Sequence, residues 1–349
     1  MKKTFRNLRL SPFLYLTPSL THISLAIFGL LLPQIVMLFV TKSYSNLLRI
    51  LISIVASYLA EILSNKIRHT NTLLDFTALV QGLMIGMFIP SNYPLITVFF
   101  FTFISLLLSK HIFGGTGATW INPVAFTVVF FYLLGMSFFP ETMITKALLE
   151  GGQPGLDLIN SGCFDLISLD SKITFALNTH FFSHLGIEVP NGYISLLWDS
   201  GSPIPAFRFN FLTLLASIIL ISFDMINWIA PAVYLFVYAL FVLLFSQVAF
   251  TGKFAHGDVL FSILTSGTLF TAFFMVDSYG TTPQSLGGKI IYGAIAGIFC
   301  FLICGCGTSS IGNMFTILIC NIISPIIQYF EDRIYIFKVN KNMRKNNYA

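Results

Sequence analysis

Charge is what this sequence has least of. Only 9% of its 349 residues are Asp, Glu, Lys or Arg, where a soluble domain carries about 25%. With 19 basic and 14 acidic side chains the chain cannot cover a water-facing surface. Hydrophobic residues make up 56% of it, and its mean hydropathy is +0.83. A soluble globular fold is therefore excluded. The sequence also lacks a defensible P-loop, a dinucleotide fingerprint in a strand–helix setting and a nucleophile triad. Cysteine is sparse and odd in number, five in all. Cys300, Cys304, Cys306 and Cys320 lie in apolar stretches and Cys163 in a polar loop, so no disulfide framework follows. The net charge of +5 is no nucleic-acid signal. It collects at the ends, in Lys2, Lys3, Arg6 and Arg9 and again in Arg333, Lys338, Lys341, Arg344 and Lys345, the distribution of segments retained in the cytoplasm.

Apolar runs take up most of the rest. A bilayer span needs about 20 residues. Such runs, some of them short, occur at 23–40, 47–63, 73–89, 94–109, 121–139, 209–224, 227–246, 258–276, 289–304 and 311–330. The run at 23–40 is long for a signal-peptide core and no small-x-small site follows it, so it is read as the first span. The expected fold is an all-α polytopic membrane protein with about ten transmembrane helices. Both termini, with the turns around Lys66, Arg68 and Lys110, are expected on the cytoplasmic side, and the acidic segment 140–208 outside. The chain then divides into an N-terminal five-helix half (1–139), an external loop (140–208), a C-terminal five-helix half (209–330) and a basic tail (331–349).

The two halves echo each other. Asp75 opens the third run and Asp258 the eighth. The glycine-rich stretch FGGTGATWINP precedes the fifth run and CGCGTSSIGNMF the tenth, with Asn122 and Asn313 in similar places. An odd number of spans per half requires opposite topologies. Inverted repeats place a binding site near the midplane between the halves.

Several residues are candidates for chemistry. Gly114, Gly115 and Gly117 either let the backbone approach a ligand at the start of the fifth span, beside Asn122, or permit a turn and close helix packing. Asp75 and Asp258 are either ion- or solute-pathway acids or N-caps. Asp277, at the end of the eighth run, is a third pathway candidate. Glu61 is expected to reach the interface near Lys66. Cys300 and Cys304 share a helix face, but free cysteine is commonly a small buried hydrophobe. No metal site is expected, the pair His180 and His184 in the outer loop included.

Four stretches carry a resemblance to a known family: DFTALVQGLMIGMFIP (75–90), KHIFGGTGATWINPVAF (110–126), HGDVLFSILTSGTLFTAFFMVD (256–277) and TTPQSLGGKIIYGAI (281–295). They resemble the NqrB/RnfD family, membrane subunits of the sodium-translocating NADH:quinone reductase and of the Rnf electron-transport complex, with a length closer to the Rnf member. The resemblance implies two inverted five-helix repeats, related to urea and ammonium channels, in a bacterial inner (plasma) membrane with other membrane subunits as partners. It also implies flavin. Family members carry FMN joined through phosphate to the threonine of a Ser-Gly-Ala-Thr-Pro motif in the outer loop before the sixth helix. Here that place reads Ser200, Gly201, Ser202, Pro203, one residue shorter and with serine for threonine, and Asp199 directly precedes it. In-line attachment tolerates about 1 Å of misplacement at a cost of roughly a hundredfold in rate, and one deleted residue moves the chain by up to about 3.5 Å. FMN or riboflavin is therefore expected to be held without a covalent bond. The function expected is that of a membrane subunit of an Rnf-like ion-translocating electron-transport complex. The alternative is a stand-alone channel or transporter for a small solute on the same scaffold, without redox activity.

Overall fold

The computed structural model describes residues 18–347 apart from 71, 141–165, 187, 246–253, 256, 279 and 306–308. The basic N-terminus, Cys163 and Cys306 lie outside the described residues. Every regular element among the described residues is helical. In chain order these are α1 (Leu20–Val40), α2 (Tyr44–Arg68), α3 (Thr77–Phe88), α4 (Leu95–Leu106, continued by a wide π turn Leu107–His111) and α5 (Pro123–Leu134). Two short helices, α6 (Asp170–His180) and α7 (Tyr193–Trp198), follow in the long segment between the halves. Then come α8 (Asn210–Ser222), α9 (Ile229–Phe245), α10 (Val259–Thr265), α11 (Thr268–Thr271, continued by a π turn Ala272–Val276), α12 (Leu286–Cys304) and α13 (Gly312–Asn347).

Helix α2 shows why these segments suit lipid. Its buried side is polar or small apart from Ile50: Asn46, Arg49, Ser53, Ser57, Ala60, Glu61 and Ser64 recur at helical spacing. Its outward side carries Leu48, Leu51, Val55, Leu59 and Ile62, each more than two-fifths exposed. A soluble helix turns its apolar stripe inward; this one turns it out, which only a hydrocarbon solvent favours. Four helices are long and apolar enough to cross a bilayer, namely α1, α2, α12 and the Gly312–Phe337 part of α13, and the bent pair α10–α11 makes a fifth. The chain is thus a multi-pass membrane protein. The other apolar helices are shorter. Those of 12 residues, such as α3 and α5, span about 18 Å at 1.5 Å per residue, less than a hydrocarbon core of about 30 Å.

Small residues set the helix contacts. On α3, Gly82 and Gly86 lie against the backbone of α2. A Cβ on Gly82 would stand 2.7 Å from Ile54 Cα, and one on Gly86 2.5 Å from Ile50 Cα. Ser53 and Ser57 of α2 donate to the Gly82 and Ala78 carbonyls at 2.6 and 2.7 Å. In the second half, Gly293 and Gly297 of α12 make the same kind of approach to α9 at Ala230 and Tyr234. Small residues four apart let helix backbones meet where no hydrophobic force drives them together.

Between α10 and α11 the helix bends by 69°. Gly267 forms the bend at φ +70°, with its Cα facing the Phe207 ring. Carbonyls freed by the bend find side-chain donors: Asn210 Nδ2 donates to Leu264 O and Asn313 Nδ2 to Ser266 O, both at 2.7 Å. The halves meet around the same level. Phe88 of α3 packs edge-on against Phe270 of α11 at 5.3 Å and against Phe207 at 6.0 Å. Nearby, Gln34 of α1 donates to Thr213 of α8 at 3.1 Å, both side chains being buried.

Candidate functional site

The ends of α1, α3, α5 and α11 surround a cavity of about 110 Å³ between the two halves. Ser24 comes from α1, Thr77 and Gln81 from α3, and Thr116, Thr119 and Asn122 from the glycine-rich loop before α5. Asp277, Ser278 and Thr281 come from the chain leaving α11. A water needs about 10–15 Å³ of such space, so the cavity has room for waters beside its polar groups, although Ile23, Ile27, Val80, Met84, Phe274 and Met275 make most of its wall apolar. It is well below the roughly 300–1,000 Å³ of organic-ligand pockets. The side-chain Oε1 of Gln81 is buried with no hydrogen-bond partner in the structure.

Asp277 stands where this cavity adjoins a second, more polar space of about 310 Å³ that also carries Asp224, Asn227, Thr282 and Lys289. Its Oδ2 accepts the Asn227 N–H at 2.8 Å and its Oδ1 accepts the Thr282 hydroxyl at 3.3 Å. Lys289 Nζ lies 3.8 Å from Oδ1, too long for a strong pair. The carboxylate is held in place yet keeps acceptor capacity toward the cavity.

Beside the cavity, on the α2 side of Thr77, lies a buried charged cluster. Lys110 Nζ donates to Glu61 Oε2 at 2.7 Å and to Thr77 Oγ1 at 3.2 Å, with the two charged side chains 1% and 2% exposed. Thr72 donates to the other Glu61 oxygen. His111 Nε2 is 3.6 Å from the carboxylate, and its buried Nδ1 has no partner in the structure. Glu61 therefore does not reach the interface as the sequence predicted. Desolvation makes a buried carboxylate seek a cation, and the π turn of α4 brings Lys110 to it. The signal in the sequence was a lysine and a glutamate each set in an apolar run; their partnership was not legible there.

The remaining sequence candidates are placed as follows. Asn122 caps α5, its Oδ1 accepting from Val124 N and Ala125 N at 3.0 and 3.3 Å. With Pro123 next in line, the cap occupies donors that an anion at this helix start would need. Gly114 and Gly115 adopt φ of +108° and +98°, and Gly115 packs under the Arg68 guanidinium, while Gly117 faces open space. Asp75 is half-buried in a 3₁₀ turn before α3. Asp258 caps α10 by accepting from Phe261 N at 3.0 Å, and Tyr193 donates to its other oxygen. Asp75 and Asp258 thus have different partners and line neither of the two cavities at Asp277. Asn313, the counterpart of Asn122, accepts through Oδ1 from Tyr234, Cys300 and Cys304 at 3.2, 3.0 and 3.5 Å. No group of three or more potential metal-ligating side chains occurs among the described residues.

The turn before α8 is closed upon itself. Ser200 is buried and donates to Phe207 O at 2.7 Å. Ser202 is 9% exposed and its Oγ accepts from Ile204 N at 3.2 Å. Gly201, at φ +66°, is exposed and donates to Asp199 Oδ1, the acid paired with Arg208. Pro203 completes the turn. Both hydroxyls are engaged within the turn, Ser200 as a donor and Ser202 as an acceptor.

Long apolar helices, a bent helix pair and lipid-facing apolar side chains define a multi-pass integral membrane protein. The model of the NQR2, RnfD, RnfE family matches residues 7–336, and the chain belongs to that family. It is 26% identical over 306 residues to the D subunit of the ion-translocating oxidoreductase complex of Cellvibrio japonicus, covering 81% of this chain and 82% of that protein. Similarity to the protein of the same name from Haemophilus influenzae (strain PittEE) is 26% over 319 residues, 82% of this chain and 85% of that one. The D subunit of the Na(+)-translocating ferredoxin:NAD(+) oxidoreductase complex of Acetobacterium woodii is 25% identical over 307 residues, 84% of each chain.

Proposed function

We propose that this chain is the RnfD-type membrane component of an Rnf-like ion-translocating electron-transport complex in a bacterial inner membrane, and that the cavity at Asp277 is part of its ion path. Family membership and the names of the relatives support the first part. The observation that carries the second is a carboxylate with spare acceptor capacity, at the junction of a half-polar opening and a smaller, mostly apolar cavity into which several hydroxyls and Gln81 reach. Hard cations prefer such oxygen ligands. In this reading ten spans form two inverted halves. α1–α5 are followed by α8, α9, the bent pair α10–α11, α12 and α13, and both termini are cytoplasmic, with Lys66, Arg68 and Lys110 at the same end.

The complex supplies the redox chemistry through its cofactors. This chain's residues hold and pass the ion, and Ser202 is not the attachment point of a flavin. The experiment is Asp277→Asn in the assembled complex, reconstituted in vesicles. Ion uptake driven by electron transfer is expected to fall at least tenfold, with the assembled subunits retained. Unchanged uptake removes Asp277 and this cavity from the path.

A further inference from the structure

On the outside of the first half, between the ends of α2 and α4, runs a groove of about 440 Å³. Its walls are Ile67 and Leu63 from α2 and Ile104, Leu108 and Ile112 from α4, side chains between 38% and 69% exposed. Nearly all of this surface is apolar, and the exception is confined to one end. There Arg68 and His111 enter the lining. Arg68 is anchored by Nε, which donates to Ser64 Oγ at 3.0 Å, and its guanidinium lies over Gly115. No acceptor for its two terminal nitrogens is found among the described residues. His111 is 7% exposed, and its Nδ1 is buried without a partner. Lys66, two residues back, is exposed. Glu61, the carboxylate beside this end, is buried and already paired with Lys110.

We propose that this groove binds one anionic phospholipid, its acyl chain between α2 and α4 and its phosphate on Arg68. An apolar groove that ends at an anchored guanidinium, its terminal nitrogens unpaired among the described residues, matches that amphiphile in polarity and charge. Basic pockets between spanning helices recognise anionic headgroups in this way, with about 1 kcal/mol for each basic side chain near the surface. Arginine suits the role because its planar fork matches phosphate oxygens pairwise. The inference rests on the protein being embedded in lipid and not on its redox or ion-carrying role. Through Gly115, the lipid site adjoins the loop that supplies Thr116 and Thr119 to the ion cavity.

The test uses the full-length protein in detergent, equilibrated with equal amounts of phosphatidylglycerol and phosphatidylcholine and read by native mass spectrometry. Wild type is expected to retain phosphatidylglycerol in preference. Arg68→Gln should lower the phosphatidylglycerol-to-phosphatidylcholine ratio about fivefold, the equivalent of ~1 kcal/mol. Leu108→Trp, at a lipid-exposed position that tolerates a bulky side chain, should lower retention of both lipids by filling the groove. Equal retention of the two lipids by wild type overturns the proposal, as does an unchanged ratio in Arg68→Gln or unchanged retention in Leu108→Trp. A photo-crosslinker at Leu108 in the assembled complex separates the remaining occupant: a lipid adduct supports the proposal, and a link to another protein chain overturns it.

Discussion

A lysine ammonium that is 1% exposed is tolerable only with an anion in contact. Lys110 and Glu61 meet that condition, and removing one partner leaves the other charge buried and unpaired. Lys110→Met and Glu61→Gln are each expected to destabilise the protein by about 3–5 kcal/mol. The double variant should recover most of that loss. Thermal unfolding in detergent measures all three, and a double variant as unstable as the sum of the singles would show that the pair is not a unit. Asp170 behaves differently because it lies outside the spans. Burial pushes its pKa up, but donation from the Ser195 hydroxyl, the Gly192 and Ser195 amides and the Thr174 hydroxyl holds it below the ordinary carboxylate value. A lowered native pKa contributes stability that is fully present above about pH 4, the unfolded carboxylate range, and is lost as the pH falls through the native value. The α6–α7 layer should therefore resist proteolysis at neutral pH and lose protection only in stronger acid. Asp170→Asn should be cleaved readily already at neutral pH.

Between elements, contact is decided by what is missing from a side chain. Gly86 brings α3 so close to α2 that a Cβ would lie 2.5 Å from Ile50 Cα, a backbone atom that cannot rotate away. Gly86→Leu must separate the helices, and its cost is expected at about 1–3 kcal/mol or more, seen as a lower melting temperature. The bend between α10 and α11 rests on two devices. At Gly267 the backbone is left-handed, and an added Cβ would lie 2.0 Å from the Phe207 ring. Asn313 supplies the donor for Ser266 O. Asn313→Ala strands that carbonyl and should cost about 1–3 kcal/mol. Asn313→Asp, which keeps the shape but not the amide donor, should be no better. Hydrogen exchange at α10–α11 reads the loss locally, and exchange unchanged in both variants would assign the bend to Gly267 alone.

Across the whole molecule, each apolar run read from the sequence is occupied by a helix or a bent pair, because hydropathy summed over a window of residues is a local property. The membrane class was legible for that reason. Orientation is tested by cysteine labelling in intact cells. An introduced cysteine at Gly201 should react from outside and one at Gly117 should not, and the reverse pattern would invert the bundle. The site was only partly legible. Asn122 and Asp277 do line one cavity, while Asp75, in a 3₁₀ turn, and Asp258, the cap of α10, line neither it nor its neighbour. Glu61 and Lys110 are 49 residues apart, and no spacing rule links them. Nor does hydropathy show which face of α2 turns toward α3. The sequence by itself determined that these segments are helices in lipid, since backbone polar groups there are satisfied only in helices or closed barrels, and runs of about 20 residues are about twice the length of a barrel strand. Helix rotation, the bend at Gly267 and the meeting of Glu61 with Lys110 were decided only by tertiary structure, because they depend on the positions of several helices at once.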